Sequence, residues 1–206
     1  LARIATEHGI TLVHVSSDYV FDGTSSRPYR EVDPLCPLGV YAQTKAAGDQ
    51  IVATVPRHYI VRTSWVIGDG KNFVRTMRSL ADQGVNPSVV DDQLGRLTFT
   101  SELARAIRHL LDTRVAFGVY NVTGGGPVMS WAEIARRVFE LAGHDPERVN
   151  PISTTDYFAS ATRPVSPRPH NSALDLSKIE ATGFRPAPAA TTLSAYISAQ
   201  SPPARA

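Results

Sequence analysis

Apolar and polar positions along this chain follow two periods in turn. Thr11-Leu12-Val13-His14-Val15 is a short apolar run between a glycine and a serine pair, the pattern of a buried strand in a parallel sheet. The residues before it read as the end of a helix stopped by Gly9. A loop over 22–38, rich in Gly, Pro and Ser, leads to a helix over about 39–54. Its apolar side is Ala46, Ala47, Ile51 and Val52, and Pro56 ends it. His58-Tyr-Ile-Val-Arg62 then reads as a second strand, so a β-α-β unit is expected.

Further on, 72–83 predicts a helix with Phe73, Met77, Leu80 and Ala81 on one face, stopped by Gly84. Residues 88–90 predict a short strand, and 91–96 a turn-rich loop. Thr100 is placed to cap a helix with Leu103, Ile107, Leu110 and Leu111 inward. Val119-Tyr-Asn-Val122 is another strand. Ser130 and Glu133 form a capping box that opens a helix with Trp131, Ile134, Ala135, Val138 and Phe139 on one stripe and Gly143 at its end. From Asp145 the elements shorten, with a long loop over 159–171, a last helix near 191–199 and a Ser-Pro-Pro tail.

The fold class expected is α/β: a partial Rossmann-like, doubly wound parallel sheet with a smaller C-terminal substrate-binding lobe. A soft boundary falls near Asn86. Residues 1–85 form the C-terminal part of the Rossmann-like domain, and 86–206 are mainly the substrate-binding lobe, with some strands returning to the sheet. A helix feeding straight into a buried strand is the middle of an α/β domain, so the chain is expected to lack an N-terminal part.

Composition changes this picture little. With 206 residues, 42% hydrophobic, 19% charged and a net charge of +2, the chain has no strong field toward nucleic acid or membrane. No apolar run approaches a membrane span, and no leader pattern opens the chain. The single cysteine, Cys36, excludes an intramolecular disulfide and fits a reducing, cytoplasmic compartment. It stands in a Pro-rich loop without a neighbouring His, which argues against a nucleophile.

The chemistry concentrates at the strand ends. Ser16-Ser17-Asp18-Tyr19 follows the first strand at its C-terminal end, the edge where open α/β sheets bind ligands. Tyr41 and Lys45 are one turn apart on the next helix, so a phenol and an ammonium share a face. Thr63-Ser64-Trp65 closes the second strand. Weaker candidates are Arg163 and Arg168 for a pyrophosphate. Asp91-Asp92 is a turn rather than a metal pair, lacking a third ligand nearby. Gly124-Gly125-Gly126 lacks dinucleotide-fingerprint spacing. His14 is a packed strand residue.

Ser17-Asp18-Tyr19-Val20-Phe21-Asp22-Gly23, Tyr41-Ala-Gln-Thr-Lys45 and Arg62-Thr-Ser-Trp65 together resemble the dTDP-4-dehydrorhamnose reductase family of extended short-chain dehydrogenases. Asn72-Phe73, Asp91-Asp92-Gln93-x-Gly95 and the stretch from Arg163-Pro164 to Leu174 extend the resemblance to about Ala199. It implies reduction of the C4 keto group of a dTDP-linked sugar by NADPH or NADH. Tyr41 would be the general acid, Lys45 its cationic neighbour and the holder of the nicotinamide ribose, and Ser17 a carbonyl polariser where the family usually has Thr. An ammonium one turn from a phenol favours its ionised form. Ser17, Asp18, Tyr19, Tyr41 and Trp65 would bind the sugar nucleotide. Tyr41 and Lys45 would touch the cofactor.

The family's glycine-rich cofactor turn would lie upstream of residue 1. The resemblance therefore implies a mostly substrate-binding part, inactive alone. A homodimer is an expected assembly. Mg²⁺ is admitted by the family, and these residues offer no site for it. A nucleotide-sugar epimerase with the same Tyr and Lys is one alternative, and a non-catalytic nucleotide-sugar-binding regulatory subunit of the same fold is another.

Overall fold

The structure, a computed structural model, describes residues 1–199. A helix α1 (Ala2–Glu7) leads through Gly9, at φ 61, into strand β1 (Leu12–Ser17). Helix α2 (Val40–Val52) crosses over to strand β2 (His58–Thr63). After short β3 (Val66–Ile67) come α3 (Phe73–Asp82), β4 (Ser88–Val90), β5 (Leu94–Gly95) and β6 (Thr98–Phe99). Helix α4 (Thr100–Thr113) and strand β7 (Gly118–Asn121) follow. Then come β8 (Met129–Ser130), α5 (Trp131–Leu141), β9 (Asn150–Ile152), α6 (Thr154–Tyr157), α7 (Ser177–Ala181) and α8 (Ala189–Ser198).

The main sheet is parallel, in the order β1-β2-β7. Alternate residues of β2 point to opposite faces. Tyr59 and Val61 enter an apolar cluster with Ala106 and Leu110 of α4 and Ile179 of α7. Arg62 points the other way, to α2, where Asp49 accepts from its Nε at 3.0 Å. Helices therefore cover both faces, as in a doubly wound fold. A second cluster joins Val74 and Met77 of α3 to Ala135, Val138 and Phe139 of α5. Apolar contacts thus cross residue 86 in both directions.

Several expectations shift by a few residues for identifiable reasons. β1 is half-buried rather than buried, because it forms the edge of the sheet and has one strand neighbour among the described residues. The buried stripe of α2 is Ala42, Ala46, Asp49 and Val52, while Ile51 is 58% exposed and Ala47 lies outside. The Asp49–Arg62 pair places a charge on the inner face, and the stripe turns with it. Phe99, not Thr100, caps α4, with no side-chain bond, and Leu111 faces solvent. The Ser130–Glu133 capping box opens α5. The last helix begins two residues early, at Ala189, and the Ser-Pro-Pro tail lies outside the described residues.

One tight contact pins the loop over 159–171 to the loop that follows β1. Asn171 N–H donates to the Gly23 carbonyl at 3.0 Å. Gly23 has φ +76, and a Cβ there would sit 2.3 Å from Pro169 Cβ. Only glycine allows both the backbone conformation and the approach.

Candidate active site

β1 delivers Ser17 to the C-terminal edge of the sheet, where one 3-10 turn, Asp18–Val20, begins. Ser17 Oγ accepts the Tyr19 N–H at 3.1 Å and donates to Asp18 Oδ1 at 3.0 Å. Asp18 is 3% exposed. Its Oδ2 makes no hydrogen bond of good geometry, although the Ser172 hydroxyl lies beside the carboxyl. Burial pushes the Asp18 pKa up to about 6, only partly offset by the neighbouring hydroxyls.

α2 brings Tyr41 and Lys45 to the same edge. Lys45 Nζ donates to the Val15 carbonyl at 2.5 Å, which fixes the ammonium beside β1. The Tyr19 ring meets Tyr41 edge-on, with centroids 6.0 Å apart. Arg168 donates from Nη1 to Tyr19 Oη at 3.3 Å. Burial raises the Tyr19 pKa, and Arg168 works against that rise.

Trp65 leaves β2 in the left-handed region, at φ 47, unusual for a bulky residue. Two neighbours hold it there. Its indole stacks on Trp131 at 3.8 Å between centroids, 18° from parallel. Below it lies Gly95, where a Cβ would come within 2.8 Å of the indole. Phe73 packs on the same Trp131, 4.5 Å between centroids.

Ser17, Asp18, Tyr19, Tyr41, Lys45 and Trp65 all line one cavity of about 400 Å³. Trp131 is a wall of that cavity and of a second one of about 450 Å³, lined also by Phe73, Gln93, Tyr157, Phe158 and Arg168. Tyr19, Tyr41 and Arg168 border a third, smaller recess of about 150 Å³. The arrangement is a hydroxyl-bearing chamber that adjoins an aromatic one, with the Arg168 guanidinium on the wall of the aromatic one and bonded to Tyr19 of the other.

Sequence reasoning missed Trp131, Phe73 and Gly95 as site residues. It placed the two aromatics on helix stripes of the core. Trp131 is the first residue of α5, directly after its N-cap Ser130, and that position was the available signal. Among the weaker candidates, Arg168 reaches the site and Arg163 is exposed in the same loop. Asp92 accepts from the backbone and hydroxyl of Thr154. No group of three His, Cys, Asp or Glu side chains able to hold a metal occurs among the described residues. Gly124 packs against the Leu97 carbonyl and Ala189. His14 lies against Gly48, 3.5 Å from Asp49, with its pKa lowered by burial and then by Lys45. Cys36 is exposed. No helix among the described residues is long and apolar enough to cross a membrane.

Residues 1–201 match the model of a protein family described as the RmlD substrate binding domain. The chain belongs to that family. Among its relatives, the dTDP-4-dehydrorhamnose reductase of Mycobacterium tuberculosis (strain CDC 1551 / Oshkosh) is 42% identical over 193 residues, which is 90% of this chain and 62% of that protein. The reductase of the same name from Aggregatibacter actinomycetemcomitans is 39% identical over 199 residues, 90% of this chain and 66% of that protein. The chain thus spans a little under two thirds of the length of these relatives. Among solved structures, a dTDP-4-dehydrorhamnose reductase from Bacillus anthracis str. Ames in complex with NADP superposes with a TM-score of 0.85 at 32% identity, covering 97% of this chain and 69% of that one. The likeness of this RmlD-family chain to that Rossmann-like enzyme covers both the β1–α2–β2 unit and the aromatic chamber, since nearly the whole chain is aligned.

Proposed function

We propose that this chain carries the sugar-nucleotide part of a dTDP-4-dehydrorhamnose reductase. In this reading its residues act on the C4 keto group of dTDP-4-dehydro-L-rhamnose to give dTDP-L-rhamnose. The observation that carries the proposal is the shared wall: one cavity holds Ser17, Tyr41 and Lys45, and Trp131 joins it to an aromatic cavity. A nucleoside diphosphate sugar has the matching sequence of parts. The keto sugar fits the hydroxyl-bearing chamber. The diphosphate fits beside Arg168, which can make charge-assisted bonds to it. The base fits among Phe73, Trp131 and Phe158.

Reduction of a ketone needs a hydride at carbon and a proton at oxygen. Tyr41 supplies the proton to the oxygen as negative charge develops on it, which is general acid catalysis. Lys45, held by the Val15 carbonyl, places a positive charge on the same side and stabilises the tyrosinate left behind. Ser17 lines the same chamber, but its hydroxyl donates to Asp18, so it is the weaker of the two hydroxyls for that oxygen. Tyr41 and Lys45 also fit the nicotinamide end of a cofactor, a phenol and an ammonium facing a ribose. When bound there, reduced nicotinamide supplies the hydride. The chain has no G-x-G-x-x-G turn for the cofactor's phosphates. In this reading its own affinity for NADPH is therefore weak, and turnover by these residues alone is absent.

Titration calorimetry tests the reading. Saturable binding of dTDP-L-rhamnose is expected, with Tyr41→Phe changing affinity by less than about threefold because it removes a proton and little contact area. Absence of dTDP-L-rhamnose binding, or tight NADPH binding by the chain alone, would overturn it.

A further inference from the structure

We infer that Trp131 is a positioning residue for Trp65 and, through it, sets specificity for the sugar end of the ligand. This rests on the sugar-nucleotide reading for its ligand, and on geometry for the rest. Trp65 is a bulky residue at φ 47, a conformation that persists only where its surroundings hold it. Its own backbone tie is the carbonyl that accepts the Thr98 N–H at 3.1 Å. The ring is held from two sides. Gly95 leaves room beneath it, and Trp131 stacks on its face. Phe73 and the first turn of α5 in turn hold Trp131. The indole pair is the partition between the two cavities, since Trp65 lines the hydroxyl-bearing one and Trp131 lines both. Trp131 thereby sets the position of Trp65 in the chamber that Trp65 shares with Ser17 and Tyr41. Core packing alone would bury Trp131, but it is only partly buried and borders open space on two sides.

The chain has only two tryptophans, so each Trp131 variant leaves Trp65 as the sole indole fluorophore. The experiment compares Trp131→Leu with Trp131→Phe in the full chain. The Phe variant keeps a ring against Trp65 and shields it. In the Leu variant Trp65 emission moves to the red, and acrylamide quenches it several times more efficiently. Equal emission and quenching in the two variants would overturn the positioning role, with or without a ligand.

The second arm titrates dTDP-L-rhamnose and dTDP. Trp131→Leu weakens dTDP-L-rhamnose binding about five- to tenfold more than dTDP binding, the scale of one aromatic pair. Trp131→Phe restores most of the loss. In a double-mutant cycle, Trp65→Ala with Trp131→Leu discriminates sugar no worse than Trp65→Ala alone, because one residue acts through the other. Additive losses, or equal losses for both ligands, would overturn the specificity role. If the unaltered chain binds neither ligand, the sugar-nucleotide reading and the specificity role fall with it, and the fluorescence arm still decides the positioning.

Discussion

The Ser17 hydroxyl donates its only proton to Asp18 Oδ1 at 3.0 Å. A carboxylate is a stronger acceptor than a ketone. With Asp18 ionised, Ser17 is therefore a poor polariser of a substrate carbonyl, and the proton falls to Tyr41. Ser17→Ala should lower turnover about tenfold or less. Tyr41→Phe should lower it about 10²- to 10⁴-fold, the range of a lost general acid. The comparison requires a full-length reductase of the family carrying this segment. Equal losses in kcat for the two variants would show that Ser17 shares the acid role.

Asp18 gives a pH dependence of stability with a definite sign. Its pKa is raised from 3.8 in the unfolded chain to about 6 in the fold, so between those values the fold binds more protons. Stability therefore falls as pH rises from about 4 through 6, by about 3 kcal/mol at most for the full shift. Asp18→Asn removes the charge and should stabilise the chain at pH 7–8 by about 1–3 kcal/mol, with the gain vanishing near pH 4. Urea midpoints across pH 4–8 measure this. A gain that does not change with pH would show that the carboxyl is not the cause.

Breaking the buried pair of Arg62 and Asp49 should cost far more than breaking a surface pair. Their side chains are 5% and 3% exposed, against 83% and 64% for Arg108 and Asp112 on the surface. Asp49→Ala strands a guanidinium under the site and should cost about 3–5 kcal/mol. Asp112→Ala should stay within about 0.5 kcal/mol. Chemical denaturation of the two variants gives the ratio directly, and comparable costs would contradict the burial argument.

Arg168 should act on the charged middle of the ligand. Arg168→Ala is expected to weaken dTDP-L-rhamnose by about tenfold, with a smaller loss at high salt, since a partly exposed charge pair is screened. It also frees the Tyr19 hydroxyl. Calorimetry at low and high salt separates the two effects. A loss independent of salt would assign Arg168 to holding Tyr19 alone.

Much of this was legible in the chain itself, and the gaps have physical causes. β1 and β2 are short apolar runs with polar residues at their ends, and Tyr41 and Lys45 sit one turn apart on the helix between them, so the edge holding Ser17, Tyr41 and Lys45 could be assembled from spacing. The inner face of α2 could not, because Asp49 reads as solvent-facing until Arg62 is placed beneath it. β3, β5, β6 and β8 are two residues each, too short for any period. The aromatic chamber brings together Phe73 and Trp131, far apart in sequence, which meet through α3–α5 packing. The left-handed backbone of Trp65 has no sequence signature, because tertiary contacts impose it.

The contact of Gly23 with Pro169 has a consequence for how such chains can be recombined. The segment after β1 and the segment 163–174 interlock through a backbone that tolerates no added carbon, and Asn171 closes the joint with a hydrogen bond. They behave as one heritable block despite being nearly 150 positions apart. A chimera that takes the first from one parent and the second from another inherits a mismatched joint wherever the parents differ at these positions. Crossovers that move both together keep the joint intact, so a family-shuffling library should be enriched in that pairing among its folded members.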